Sequence, residues 1–312
     1  MDYHRLMPAK LLFCCITLPF SQVYGQRFTA MQSDEGIEIA ENGKRVLFYQ
    51  QRPKSLDGKY ERAGYVHPLY SLNEKILTED LPGDHPYHRG VFWAWHQIIL
   101  NNKKIADGWI SENISWKPVK LKVKTRKENV VLQSELIWNI TRQQDNPTAI
   151  VKENTRITVY KSTEQYRAID FDIQLFPLVD SLKIGGSDDA KGYGGFCLRL
   201  QLPKDISFVS NNTAVTPIET AVNAGPWMNF TGSFDGASMP KTGVAVFSGY
   251  PSGDQQPWIL RKETSMQNFP YPGRTPLTLS KKGWRLKYRI IIHNGNMTSD
   301  DLEKLYHYYI RR

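Results

Sequence analysis

From about residue 115 onward, apolar side chains recur at every second position through most of the chain, and this alternation constrains the fold more than any other feature. Ile169, Phe171, Ile173 and Leu175 alternate with Ala168, Asp170, Asp172 and Gln174. Phe196, Leu198, Leu200 and Leu202 alternate with Cys197, Arg199 and Gln201, and Trp284, Leu286, Tyr288, Ile290 and Ile292 with Arg285, Lys287, Arg289 and His293. A period of two puts one set on a buried face and the other toward water, as in half-buried strands. Less regular runs cover 119–125, 129–139, 150–160 and 243–248, and turn clusters at 185–189, 235–236 and 251–254 separate the runs. So many strands predict an all-β protein, a large antiparallel β-sandwich.

Two stretches depart from that pattern. Val91 to Leu100 is apolar on both parities, as expected for a central strand covered on both sides. Near the end, Thr298-Ser299-Asp300-Asp301 is a capping signal, and Leu302, Leu305, Tyr306 and Tyr309 form the apolar stripe of one short C-terminal helix. Residues 1–25 read as a secretory signal: Arg5 and Lys10 precede an apolar run from Leu11 to Phe20, then Val23-Tyr24-Gly25 precedes Gln26. That run is shorter than the roughly 20 residues a bilayer span needs. The expectation is a periplasmic or secreted protein whose residues 26–312 form a single domain. Without Cys14 and Cys15 only Cys197 remains, so no internal disulfide supports the core. The formal charge of +9 is spread along the strands rather than gathered in blocks. This argues against a nucleic-acid partner and leaves room for an anionic small molecule or glycan.

Chemistry concentrates between Glu79 and Gln97, where Glu79, Asp80, Asp84, His85, His88, Arg89, Trp93, Trp95 and His96 fall within nineteen residues. Pro82-Gly83 and His85-Pro86 keep this segment a loop entering the Val91 strand, and loops at sheet ends are where sites are built. An imidazole beside a carboxylate passes protons near neutral pH, which suits lyase, hydrolase or epimerase chemistry on a sugar. Asp84, His85, His88 and His293 are the candidate catalytic residues. Arg89, Arg199, His67, Trp95 and Asn229 are the candidate substrate contacts, with Trp93 and Trp95 readable as a stacking platform for a sugar ring or, as is usual for aromatics in a strand with two apolar faces, as core. Asp80, Asp84, His85 and His88 also have a spacing open to a divalent metal, although no metal is assigned. Extended geometry would put His88 and His96 roughly 26 Å apart at about 3.3 Å per residue, too far to share an ion. A non-catalytic glycan-binding sandwich and a static network of buried histidines remain open alternatives. Gly192-Tyr193-Gly194-Gly195, His293 and the Gly225–Asn229 segment are weaker candidates, and no Walker loop, dinucleotide fingerprint, zinc-protease helix or nucleophile elbow is present. The expectation is that His85, His88, Arg89, Arg199 and His293 line one cleft.

Several segments together resemble a known bacterial family. Tyr65-Val66-His67-Pro68-Leu69-Tyr70, Leu77 to Pro82, Asp84 to Gly90 and Phe92-Trp93-Ala94-Trp95, with Gly194-Gly195-Phe196, Arg199, Trp227 and His293, are similar to the family often labelled "methane oxygenase PmoA". Members of that family commonly carry His where this chain has Tyr87, which removes one possible ligand. The label conflicts with the sequence, because a membrane oxygenase needs several long apolar spans and none follows residue 25. Size, strand count and loop-borne histidines are similar at fold level to the large sandwiches of the galactose-mutarotase class, and that likeness implies a supersandwich and carbohydrate chemistry.

Overall fold

The computed structural model describes Met1 and residues 28–141, 147–237, 239–249, 255–263 and 266–311; the expected signal segment beyond Met1 and the turn at 251–254 lie outside the described residues. The alternating stretches form two large antiparallel sheets stacked as a sandwich. One has seven strands in the order Phe28–Gln32, Gly36–Glu41, Lys44–Gln50, Tyr65–Leu69, Val91–Trp95, Gly194–Leu198 and Gln267–Pro270. The other has nine, in the order Ile114–Thr125, Asn129–Ile140, Thr148–Tyr160, Tyr166–Pro177, Trp284–His293, Thr242–Ser248, Trp227–Gly232, Ser207–Ser210 and Thr213–Ala214.

Aromatic rings join the two inner faces. Phe196 of the seven-stranded sheet stacks on Tyr288 of the nine-stranded one, with centroids 4.3 Å apart. Phe171 meets Phe196 edge-on at 5.3 Å, and Trp95 meets Trp138 at 5.9 Å. Parity then assigns the outer faces. Val91, Trp93 and Trp95 belong to the inter-sheet core, whereas Phe92, Ala94 and Cys197 join Tyr65, Trp109 and Met266 in a separate cluster outside the seven-stranded sheet. Outside the nine-stranded sheet, Ala245, Phe247 and Ile291 pack with Trp227 under Leu302, Tyr306 and Tyr309 of the helix Ser299–Ile310. That helix starts as expected: the Thr298 hydroxyl accepts from the Asp301 N–H and the Asp301 carboxylate accepts from the Thr298 N–H. The Trp227 indole fixes it to the sheet by donating to Glu303 at 2.6 Å.

The expected single strand from Val91 to Leu100 is two strands. Val91–Trp95 ends opposite Gly194, and Gln97–Leu100 pairs instead with Leu182–Gly185 in a four-stranded sheet. The partner strand begins at Gly194, so the backbone groups beyond Trp95 must find another ladder. His96 sits at the switch between sheets.

Candidate functional site

The loop from Glu79 to Gly90 is held at both ends by one residue of a distant segment. The Arg199 N–H donates to the Gly90 carbonyl at 2.8 Å, and the Arg199 carbonyl accepts from the Glu79 N–H at 2.9 Å. Within the loop, the His88 N–H donates to the His85 carbonyl and the Leu81 N–H to the His88 carbonyl. Gly90 has to be glycine, because a Cβ there would lie 2.2 Å from the Val66 carbonyl oxygen of the neighbouring strand. Arg199 shares the outward parity of Cys197, so its side chain enters this loop from the sheet below.

The Arg199 guanidinium is the hub of the site. It donates through Nε to Glu79 at 2.7 Å and through Nη2 to Asp84 at 2.7 Å, and its Nη1 lies 3.3 Å from His88 Nδ1. A guanidinium only donates, so His88 Nδ1 is the acceptor and its ring proton is on Nε2. Burial, with Arg199 adding to it, pushes His88 down to about 2, which keeps it neutral. Burial raises Asp84, but hydrogen bonds from His85 and Arg199 outweigh it and hold the carboxyl at about 2. Asp84 therefore stays ionised, and its second oxygen accepts from His85 Nδ1 at 2.8 Å. An ionised carboxylate only accepts, so His85 Nδ1 carries the proton of this bond and Nε2 is the ring nitrogen that Asp84 does not engage.

His85 stacks flat on His88, with centroids 4.8 Å apart and planes within 2°, and Tyr87 meets both rings edge-on. About 40% of the His85 side chain is exposed, and it lines a cavity of about 480 Å³ whose far wall comes from 217–219 and 260–263. Behind His88, Trp109 takes His88 at its edge, 5.9 Å away, and stacks on His96 at 5.1 Å. The two imidazoles are thus at most 11.0 Å apart, the 5.9 Å and 5.1 Å steps laid end to end, where an extended chain would separate them by roughly 26 Å. Only 91–95 is strand between them, and both rings fold back onto Trp109. His96 Nδ1 lies 2.9 Å from Asp107, so the outer face carries a second imidazole–carboxylate pair.

Asp84, His85, His88 and Arg199 come together as one contact cluster, but His85 alone among them lines the cavity while His88 and Arg199 are buried beneath it, and the expected common cleft does not extend to the other residues. Arg89 has no exposed surface; its guanidinium donates to Asp80 at 3.3 Å and to the carbonyls of Lys54 and Tyr60, which ties the loop to the hairpin of Lys54–Leu56 and Lys59–Arg62. His67 lies on that same side, its Nδ1 3.0 Å from the Thr78 hydroxyl, and burial lowers it to about 4. Trp95 is fully buried between the sheets, its indole donating to the Tyr271 carbonyl at 2.6 Å, so it offers no face to a sugar. His293 and Asn229 pair with each other at 3.0 Å on the opposite outer face, on the helix side of the nine-stranded sheet. The Gly295 N–H donates to His293 Nδ1, so Nε2 is the donor to Asn229, and burial lowers this imidazole to about 4.

The proposed metal set does not come together. Asp80 is engaged by Lys54, Arg89 and Tyr65, and Asp84 by Arg199 and His85. Among the described residues no group of three His, Cys, Asp or Glu side chains is arranged to hold an ion. Sequence reasoning passed over Glu79 as a partner of Arg199, Trp109 as the ring behind His88, and the wall at 217–219. Asp107-Gly108 did signal the turn that presents Trp109, since Asp107 Oδ1 accepts from the Trp109 and Ile110 N–H groups.

The chain belongs to a family of unknown function (DUF6807), whose model matches residues 36–307, a span that contains every residue named in this site. No curated protein matches it.

Proposed function

We propose that this member of the DUF6807 family is an exported carbohydrate-active protein that performs acid–base chemistry on a sugar or glycan, with His85 as the proton-transfer group. The observation that carries this reading is the Asp84–His85 pair, with Nδ1 bound to an ionised carboxylate and Nε2 without a hydrogen-bond partner among the described residues, beside an open cavity. Nε2 takes a proton from a sugar hydroxyl or an acidic sugar C–H, Asp84 stabilises the imidazolium, and the same proton is returned to the departing or ring oxygen. Arg199 keeps Asp84 charged through that cycle, and neutral His88 supports the His85 ring without competing for the proton. A cavity of about 480 Å³ has the size of a small-ligand site.

The fold-level likeness to the galactose-mutarotase class agrees with this reading, and the oxygenase label does not enter it: among the described residues no helix is long and apolar enough to cross a membrane. A binding module without turnover is the second reading, favoured by the two carboxylates already locked on Arg199. The experiment is a screen of purified protein against a broad panel of glycans and glycosides, with products identified by mass spectrometry. Turnover that His85→Gln lowers by about 10² to 10⁴-fold is the expected result. Tight sugar binding with no product from any substrate would leave the binding module as the better account.

A further inference from the structure

The wall facing His85 has a chemistry of its own. Ile218 is 50% exposed although it belongs to a large apolar residue type, and it lines the same cavity as His85 beside Pro217. Its backbone is fixed: Arg261 donates through Nη1 to the Ile218 carbonyl at 3.0 Å and through Nη2 to the Glu219 carbonyl at 2.8 Å. Arg261 also donates to its own neighbour's carbonyl at Leu260 and lies over the Tyr193 ring at 5.5 Å. Its guanidinium is therefore committed to main-chain oxygens rather than offered to a ligand. The lining as a whole carries Lys191, Arg261 and Lys262 against Glu219 and Glu263, a net charge of +1 (3 − 2), with Lys191 3.9 Å from Glu219. The cavity thus combines a slightly positive rim with a held apolar side chain.

We propose that this cavity is a subsite for the apolar aglycone of a glycoside, with Ile218 as the specificity-determining contact and Arg261 as the residue that positions it. This rests on the assignment of His85 as the proton-transfer group and adds which part of the substrate lies across from it. An exposed isoleucine gains by covering apolar ligand surface, and a ring laid against it is removed from water on that face. A free sugar, polar around its whole rim, gains nothing from the same contact. The aglycone side of the glycosidic oxygen then lies next to the imidazole that handles the proton.

Calorimetry or saturation-transfer NMR with paired probes tests this: methyl and phenyl glycosides of the same common monosaccharides, titrated into the wild-type chain, Ile218→Asp and His85→Gln. The phenyl member of a pair is expected to bind about tenfold more tightly than the methyl member, a preference that Ile218→Asp reduces below about twofold and His85→Gln leaves in place. Equal affinity for both members, or an unchanged preference in Ile218→Asp, overturns the subsite while leaving any turnover on the glycan panel standing. Absence of both binding and turnover for every glycoside removes the acid–base reading, and the subsite falls with it. Ile218 is a surface side chain, so the substituted protein is expected to fold, and an unchanged urea midpoint checks that.

Discussion

Arg199 shows how one buried charge can serve two purposes. Its side chain is about 1% exposed, yet its partners Glu79 and Asp84 keep about a third of their surface in water. Arg199→Met would leave both carboxylates facing each other without a counter-charge. A loss of about 2 kcal/mol or more is expected, toward the low end for a broken buried pair because water reaches the carboxylates. Urea unfolding measures that loss, and titration of Asp84 by carboxyl NMR should show it move up toward the ordinary carboxylate range. A midpoint within error of wild type would mean that the hub holds nothing in place. The cluster around it was legible in the sequence because imidazoles and carboxylates so close in the chain have little room to avoid one another. Arg89 was misjudged for a local reason: it follows His88 directly, and successive side chains of an extended segment point to opposite sides.

At the level of elements, alternation identifies which residues share a face but not which sheet that face belongs to. Arg199 and His293 both read as polar positions on strands with apolar inner faces, and nothing in a period of two separates the outside of one sheet from the outside of the other. Pairing over long sequence distances decides it, and that information is spread over the whole chain. Trp95 shows the same limit: both parities of its strand are apolar, so alternation left its face open, and the structure puts it with Trp93 in the core between the sheets. The terminal helix, by contrast, was fully written in local signals. Leu302→Ala should cost about 2–5 kcal/mol in chemical denaturation, because its side chain is fully buried against the nine-stranded sheet. Glycoside binding at 25 °C should be unchanged in that variant, since the helix and the His85 cavity lie outside opposite sheets. Loss of binding in a protein that remains folded would contradict that separation.

Across the whole molecule, His67, His88 and His293 are all kept neutral by burial, the first and last lowered to about 4 and the second to about 2. In the unfolded chain each takes a proton near its ordinary value of about 6.5. Below that pH the unfolded state binds more protons than the folded one, so stability falls as pH drops from about 6.5 toward 4, by up to roughly 4 kcal/mol per pH unit for three groups. Urea midpoints at pH 7, 6, 5 and 4 should fall in that order, and His293→Gln should flatten the slope by about a third. A midpoint that rises on acidification from pH 7 to 5 would show that these imidazoles are charged in the fold.

The two hydrogen bonds that Arg199 makes with the main chain at Gly90 and Glu79 also bear on the order of events during folding. The histidine loop is synthesised early, but its hub lies more than a hundred residues downstream, beside a strand that must first insert next to Val91–Trp95. Closing so long a segment is slow relative to forming local hairpins. Until it closes, Glu79 and Asp84 have no guanidinium between them and the Asp84–His85 pair has no fixed bearing. A chain interrupted before residue 199 would carry every histidine of the loop and no hub, which makes ligand binding a report that Gly194–Leu198 has taken its place beside Val91–Trp95.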